Sequence, residues 1–292
     1  MKVLLIGNPL SHGGRSRRSF EKIYKQMDRF GIDFEFYQWD GRDSVIDRIA
    51  NAKGFDSIVA AGGDGTINSV VNGIMQNAQE KLPLGVIYCG TSPDFCKFHG
   101  LPINEIEKSV EVLAQGSPRA VDVMAVKRNE GDPLEFFCCC LNLGMGAAVA
   151  AKANRIRPWV GDGIGTFIAL ISELVKSRKY TYEINGQTVE NANHLLVSKM
   201  PFIASGMKIN ADLKPSDGQF ALCVLQNLRF CDWLKLIPKI YRGESVGSLE
   251  IRSESIHISS PKTVPVEYDG DPQGVLPVEI SIFHEKLYLI KN

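Results

Sequence analysis

The stretch Ile58-Val59-Ala60-Ala61-Gly62-Gly63-Asp64-Gly65-Thr66, continuing through Ile67-Asn68-Ser69-Val70-Val71-Asn72-Gly73, decides how the rest of the chain is read. An apolar run enters a turn in which three of four residues are glycine, and Val70, Val71, Ile74 and Met75 then recur at helical spacing. This is the pattern of a strand, a glycine turn and a helix. Glycines at a helix start let backbone N–H groups come close to an anion, and the helix dipole favours its charge. A phosphate is the natural occupant. An acid in such a loop repels a bare phosphate, which gives Asp64 a role through Mg²⁺ or as a hydrogen-bond partner. The competing reading is a tight turn in which Asp64 caps the helix.

On either side of this stretch the first half alternates between the two periods. Strands are expected at Val3 to Ile6, Phe34 to Trp39, Ser57 to Ala61 and Leu84 to Tyr88, and helices at Ser19 to Phe30, Ser44 to Lys53 and Ile103 to Gln115. Phe20, Ile23, Tyr24, Met27 and Phe30 share one helix face, and Gly31 ends it. Repeated βαβ units imply a doubly wound parallel sheet, which binds ligands at the carboxyl ends of its strands. Three polar loops fall there: Gly7 to Arg15, with Asn8, Ser11, Gly13, Gly14 and Arg15; Gly62 to Thr66; and Gly90 to Asp94, with Thr91. Beyond Ala120 strand-like runs dominate, among them Glu135 to Leu143, Phe220 to Leu225, Val264 to Tyr268, Val278 to Phe283 and Lys286 to Ile290, with two helices at Ile164 to Lys176 and Phe230 to Tyr241. The expected architecture is therefore α/β. Residues 1–120 form a nucleotide-binding domain and residues 121–292 a β-sandwich-like domain, the last segment being free to pack back on the first.

A chain of 292 residues suits two domains, and 33 basic residues against 33 acidic ones give no overall charge to attract nucleic acid. The opening Met-Lys-Val-Leu-Leu-Ile-Gly reads as a strand rather than a signal-peptide core, and no run approaches the length that crosses a bilayer. Cys138, Cys139 and Cys140 point to alternate faces if they lie on one strand, and no Cys-x-x-Cys pair occurs, so a reducing compartment without structural zinc is expected.

Taken together, the motifs resemble the diacylglycerol kinase catalytic-domain family, which also includes sphingosine kinases and bacterial soluble lipid kinases. The likeness runs through Asn8-Pro9 with Ser11 and Gly13-Gly14, Gly62 to Thr66 with Asn68 and Asn72-Gly73, Gly90-Thr91 with Asp94-Phe95, and Gly100-Leu101-Pro102. It continues through Asp122, Asn142 with Gly144 and Gly146, Gly206, Asp217-Gly218, and Asp269-Gly270-Asp271. The resemblance implies an ATP- and Mg²⁺-dependent kinase with nucleotide in an interdomain cleft and a lipid hydroxyl as acceptor. ATP is then expected on Asn8, Ser11, Gly13, Gly14, Arg15, Gly62, Gly63, Asp64, Gly65, Thr66 and Thr91. Asp269 matches the family's base with Asp271 close behind, and Asp94, Asp122 and Asp217 match its acids around magnesium. It further implies a cytoplasmic protein that meets the membrane peripherally, and it leaves homodimer formation open. Three positions depart from the pattern: Pro93 replaces a side-chain donor, Asp271 is one methylene shorter than the usual glutamate, and Ser216 stands for a second aspartate. Tyr88, where a proline is common, either stacks on a base or fills the core. Two other readings stay open, a silent lipid-binding module of the same fold and an NAD kinase-like enzyme with a soluble acceptor.

Overall fold

The computed structural model describes residues 1–8, 17–176, 178–203, 207–244 and 247–292. They form two compact units, Met1–Val123 with His284–Asn292, and Met124–Phe283.

The first unit holds β1 (Lys2–Gly7), α1 (Arg17–Arg29), β2 (Asp33–Gln38), α2 (Arg42–Ala50), β3 (Ser57–Gly62), α3 (Asp64–Gln76), β4 (Leu84–Tyr88), α4 (Asp94–His99), α5 (Ile106–Gln115) and most of β5 (Ser117–Lys127). Strands β2, β1, β3 and β4 lie side by side and parallel, and near the C-terminus Leu289 pairs in parallel with Leu84. Side chains alternate across a strand, so each strand feeds two layers. Val3, Leu5, Val59, Ala61 and Ile87 join Phe20, Ile23 and Met27 of α1 and Val110 and Leu113 of α5 in one buried cluster. Their neighbours Leu4, Ile6, Ile58, Ala60 and Val86 are buried on the other face, where α3 packs on β3 and β4 and crosses α2. The crossing is tight: a Cβ on Gly73 would stand 2.6 Å from Cβ of Ile49.

The second unit holds β6 (Glu135–Phe137), β7 (Cys140–Gly144), α6 (Met145–Val160), α7 (Asp162–Lys176), β8 (Tyr180–Ile184), β9 (Gln187–Ser198), β10 (Phe202–Ile203), β11 (Met207–Lys208), β12 (Phe220–Gln226), α8 (Phe230–Tyr241), β13 (Ser248–Arg252), β14 (Ile256–Ser259), β15 (Pro265–Tyr268), β16 (Asp271–Val275) and the start of β17 (Val278–Lys291). β9 organises it by serving two neighbourhoods. Its first half pairs with β8, its second half lies between β7 and β12, and Asn191, at a φ of 55°, stands where the pairing changes. The result is sandwich-like, around a core that includes Phe137, Leu141, Tyr182, Val197, Phe220, Ile258 and Tyr268.

Several elements differ from the sequence expectation, among them the short strands β10, β11, β13 and β16, which were not expected, and four others. Glu135 to Leu143 is not one strand, because the chain bends at Cys138 and Cys139 between β6 and β7. The two expected C-terminal strands are one, β17, with Glu285 at a φ of 51° inside it. Helix α6 was not expected, since its apolar residues are largely alanines without a helical period and Pro158 falls near its end. The short helix α4 was read as loop. None of the seven cysteines is in a disulfide.

Candidate active site

The glycine turn lies where β3 meets α3. Its backbone N–H groups at Thr66 and Ile67 donate to the Gly63 carbonyl, and α3 has no side-chain cap. Asp64 is thus the first helical residue and not the cap. Gly62 is required by packing inside the chain, and Gly63 is tightly placed, with a Cβ on it 3.3 Å from the Gly90 Cα. A Cβ on Gly62 would lie 2.4 Å from Thr66 Oγ1, and Gly63 faces Gly90 so closely that a Cβ on Gly90 would stand 2.6 Å from the Gly63 Cα. Gly65 is different: a Cβ there would meet nothing within 4 Å, and its φ is not in the left-handed region. A glycine in a helix costs roughly 0.5–1 kcal/mol relative to alanine, so neither fold nor strain accounts for it.

The parallel register brings Asn8, Gly62 to Thr66, and Gly90 with Thr91 to one edge, since Gly7 aligns with Ala61 and Gly62 with Tyr88. Ser11, Gly13, Gly14 and Arg15 lie outside the described residues, as does Gly206. Asp94 opens α4 behind Pro93, which stands at its N-cap, and is buried. Tyr88 resolves in favour of the core. It is fully buried, and its hydroxyl would lie 2.7 Å from a Cβ on Gly90. Burial, then the Asp64 charge, with Cys96 and Asp94 adding to it, pushes the phenol well above the usual tyrosine range. Tyr88 therefore stays a protonated phenol with the carboxylates of Asp64 and Asp94 near it. Among the described residues no group of three or more His, Cys, Asp or Glu side chains is placed to hold a metal ion. Mg²⁺ bound with a nucleotide takes one or two carboxylates plus phosphate oxygens. Asp64 and Asp94, both close enough to act on the Tyr88 phenol, are the two carboxylates at this edge that could serve in that way.

Asp122 and Asp217, expected beside magnesium, are each engaged within the chain. Asp122 Oδ1 accepts from His284 Nδ1 and from the Glu285 backbone N–H, both at 2.9 Å, which ties β5 to the left-handed residue of β17. Asp217 pairs with Lys199, whose side chain is only 2 % exposed, and accepts the N–H of Gln219 on Oδ1 and of Lys214 on Oδ2. Burial pushes its carboxyl up, but the Lys199 ammonium and the two N–H groups outweigh it and hold it below the ordinary value. Lys199 in turn donates to the Gln219 carbonyl, so the pair closes the Lys214 to Gln219 loop.

Asp269 and Asp271 belong to the hairpin between β15 and β16. Tyr268 pairs with Asp271, leaving Asp269 and Gly270 as a two-residue turn with φ of 50° and 93°. Asp-Gly is the sequence such a turn requires. The Asp269 carboxylate, expected as an open base, is gripped by the backbone of the preceding bend. It accepts from Cys138 N at 2.7 Å, Cys139 N at 2.9 Å and Cys140 N at 3.2 Å. These bonds satisfy the donors that the break between β6 and β7 releases, and they fix the direction of the carboxylate. Asp271 is exposed at the start of β16.

One residue was not anticipated. Glu267, on β15, is 3 % exposed, opposite Asn142 of β7 and one residue before Tyr268. Its carboxyl is pushed up to about 7, first by burial and then by the charges of Asp269 and Asp271, against the hydrogen bonds from Gly270 and Asn142. In the sequence it reads as an ordinary outward strand residue.

The comparisons agree across the chain. Residues 2–126 match the diacylglycerol kinase catalytic domain, and residues 140–291 match the YegS C-terminal NAD kinase beta sandwich-like domain. A diacylglycerol kinase of Mycobacterium tuberculosis is 26 % identical over 99 % of this chain and 95 % of its own length. One from Bacillus subtilis is 24 % identical over 99 % and 96 %. The crystal structure of a diacylglycerol kinase from Bacillus anthracis superposes with a TM-score of 0.77 at 22 % identity, covering 100 % of this chain and 97 % of that one, and supports the fold. The chain belongs to the family that joins a diacylglycerol kinase catalytic domain to a YegS-type C-terminal domain.

Proposed function

We propose that this protein is an ATP- and Mg²⁺-dependent kinase that transfers the γ-phosphate to the hydroxyl of a membrane lipid of the diacylglycerol type. Phosphoryl transfer needs the phosphates aligned, their charge offset, and a carboxylate at the attacking hydroxyl. In this reading the Gly62 to Thr66 turn and the start of α3 receive the phosphates, with Gly65 as the point of closest approach. Asp64 and Asp94 hold Mg²⁺, which offsets the phosphate charge when bound. Asp269, aimed by three N–H groups, takes the proton of the acceptor hydroxyl, and Asp271 stands beside it.

The observation that favours a lipid over a soluble acceptor is the outer face of α7. Ile164, Phe167, Ile168 and Val175 are 61, 63, 43 and 64 % exposed and fall at i, i+3, i+4 and i+11, while Gly165, Ala169 and Leu174 turn inward. Trp159 on α6 is 87 % exposed, and the exposed Arg178 and Lys179 follow α7. An apolar helix face beside basic residues suits the surface of an anionic bilayer. No helix among the described residues is long and apolar enough to cross one. The test is a radiolabelled-ATP assay with Mg²⁺ across lipid classes, paired with flotation on anionic liposomes. Phosphorylated lipid, and loss of flotation in an Ile164→Ser/Phe167→Ser variant of unchanged Tm, are the expected results. Phosphate transfer only to a water-soluble acceptor would replace this reading by the NAD kinase-like one, and no transfer at all by the silent module.

A further inference from the structure

Three of the four backbone polar groups of the Asp269-Gly270 turn are held by different partners. Asp269 N–H donates to the Cys140 carbonyl at 3.1 Å, the Gly270 carbonyl accepts from Asn154 of α6 at 3.3 Å, and Gly270 N–H donates to Glu267 Oε1. The other Glu267 oxygen accepts from Asn142 Nδ2 at 2.6 Å. A buried carboxylate without a cation is costly, and this one lies beside two further carboxylates. Structure alone would be served as well by an uncharged side chain of the same shape.

We propose that Glu267 is the positioning residue of the proposed phosphotransfer site: by accepting the Gly270 N–H and the Asn142 amide on separate oxygens, it sets the direction in which Asp269 and Asp271 are presented. The inference rests on the reading that Asp269 serves the acceptor hydroxyl. The ionised carboxylate accepts both bonds, whereas the acid form turns one oxygen into a donor. With a carboxyl value near 7, the clamp is complete above neutrality and released below it. Among the described residues the charges that act on Glu267 are Asp269 and Asp271; the groups that reach it or its turn from β7 and α6 are Asn142, the Cys140 backbone and Asn154, none of them a cation.

Glu267→Gln keeps an acceptor for Gly270 and, with Asn142 rotated, a donor toward it, but cannot titrate. Glu267→Leu keeps bulk and accepts nothing. The expected result is a wild-type kcat that falls below pH 7, a Glu267→Gln kcat that stays near the wild type's low-pH level at every pH, because the amide, like the acid form, offers one acceptor and one donor, and a Glu267→Leu kcat down by about 10²-fold at unchanged ATP KM, the scale of a misplacement of about 1 Å. An acidic limb that persists in Glu267→Gln, or full kcat in Glu267→Leu, overturns the proposal. A second readout needs no activity: with glycine-selective ¹⁵N labelling, the Gly270 amide shift should titrate with a midpoint near 7 in the wild type and be flat in Glu267→Gln. That result in a protein that phosphorylates no lipid would sink the kinase reading while the clamp stood. An active enzyme whose Gly270 amide ignores pH would sink the clamp alone.

Discussion

The molecule contains two Asp-Gly turns, and they are built on opposite principles. At Asp64-Gly65 the glycine has open ground above it, in a conformation any residue adopts. At Asp269-Gly270 both residues are left-handed, the carboxylate takes three backbone N–H groups, and both N–H groups of the turn and the Gly270 carbonyl are engaged. On the proposed reading the first turn presents backbone to the phosphates of the nucleotide. The second presents a side chain and must hold it still beforehand, because a catalytic group that has to be reoriented during the reaction gains less from its position.

The largest expected effect separates the two turns by function against stability. Asp64→Ala should remove turnover by at least about 10²-fold, the scale of losing one electrostatic group at a developing charge, while leaving Tm within a few degrees. Retained ATP affinity and turnover, in a variant shown by circular dichroism to be folded, would remove Asp64 from the site. Asp269→Asn should do both kinds of damage. A lost base costs about 10²-fold in kcat with ATP KM little changed. An amide facing three N–H donors also loses charge-assisted bonds, so Tm should fall by several degrees. Unchanged Tm would show that the three N–H groups do not depend on the charge, and unchanged kcat would make Asp269 a turn residue only.

A third test asks whether a further engaged acid of the second unit behaves as its contacts say. The folded value of Asp217 is depressed, so its contribution to stability is present above the unfolded value of about 3.8 and is lost as pH falls through the lower folded value. Asp217→Asn should therefore be less stable at pH 7 and show a flatter loss of Tm between pH 5 and acid than the wild type. Parallel acid curves would contradict the Lys199 pair as drawn. The smallest effects come from the glycines themselves. Gly65→Ala should leave Tm unchanged or raise it by the equivalent of about 0.5 kcal/mol while weakening ATP binding, and Gly270→Ala should cost roughly 1–2 kcal/mol because its φ is left-handed. Equal Tm shifts in the pair would erase the distinction between an open glycine and a strained one.

Much of this was legible in the residues. The apolar runs and helical repeats of the first half gave β1 to β4, α1 and α2 to within about three residues at each end, and the start of α3, because each of those elements buries a face that its own local pattern defines. Phe230 to Tyr241 came through unaltered as α8 for the same reason. The glycine turn was likewise visible, since glycine is the residue whose use is written in its own chemistry. Helix α6, with alanines in place of a period, was not.

What tertiary structure alone decided has one cause, the separation along the chain of the groups involved. Asp269 meets the Cys138 N–H across 131 positions, Glu267 meets Asn142 across 125, and Asp122 meets His284 across 162. Local pattern records whether a residue is apolar and how often its neighbours are. It does not record which backbone donor a distant strand break will leave unsatisfied, and a buried donor must find an acceptor. The bend at Cys138 and Cys139 supplied the donors and the hairpin supplied the acid, so the candidate base became an anchored one only when the two met.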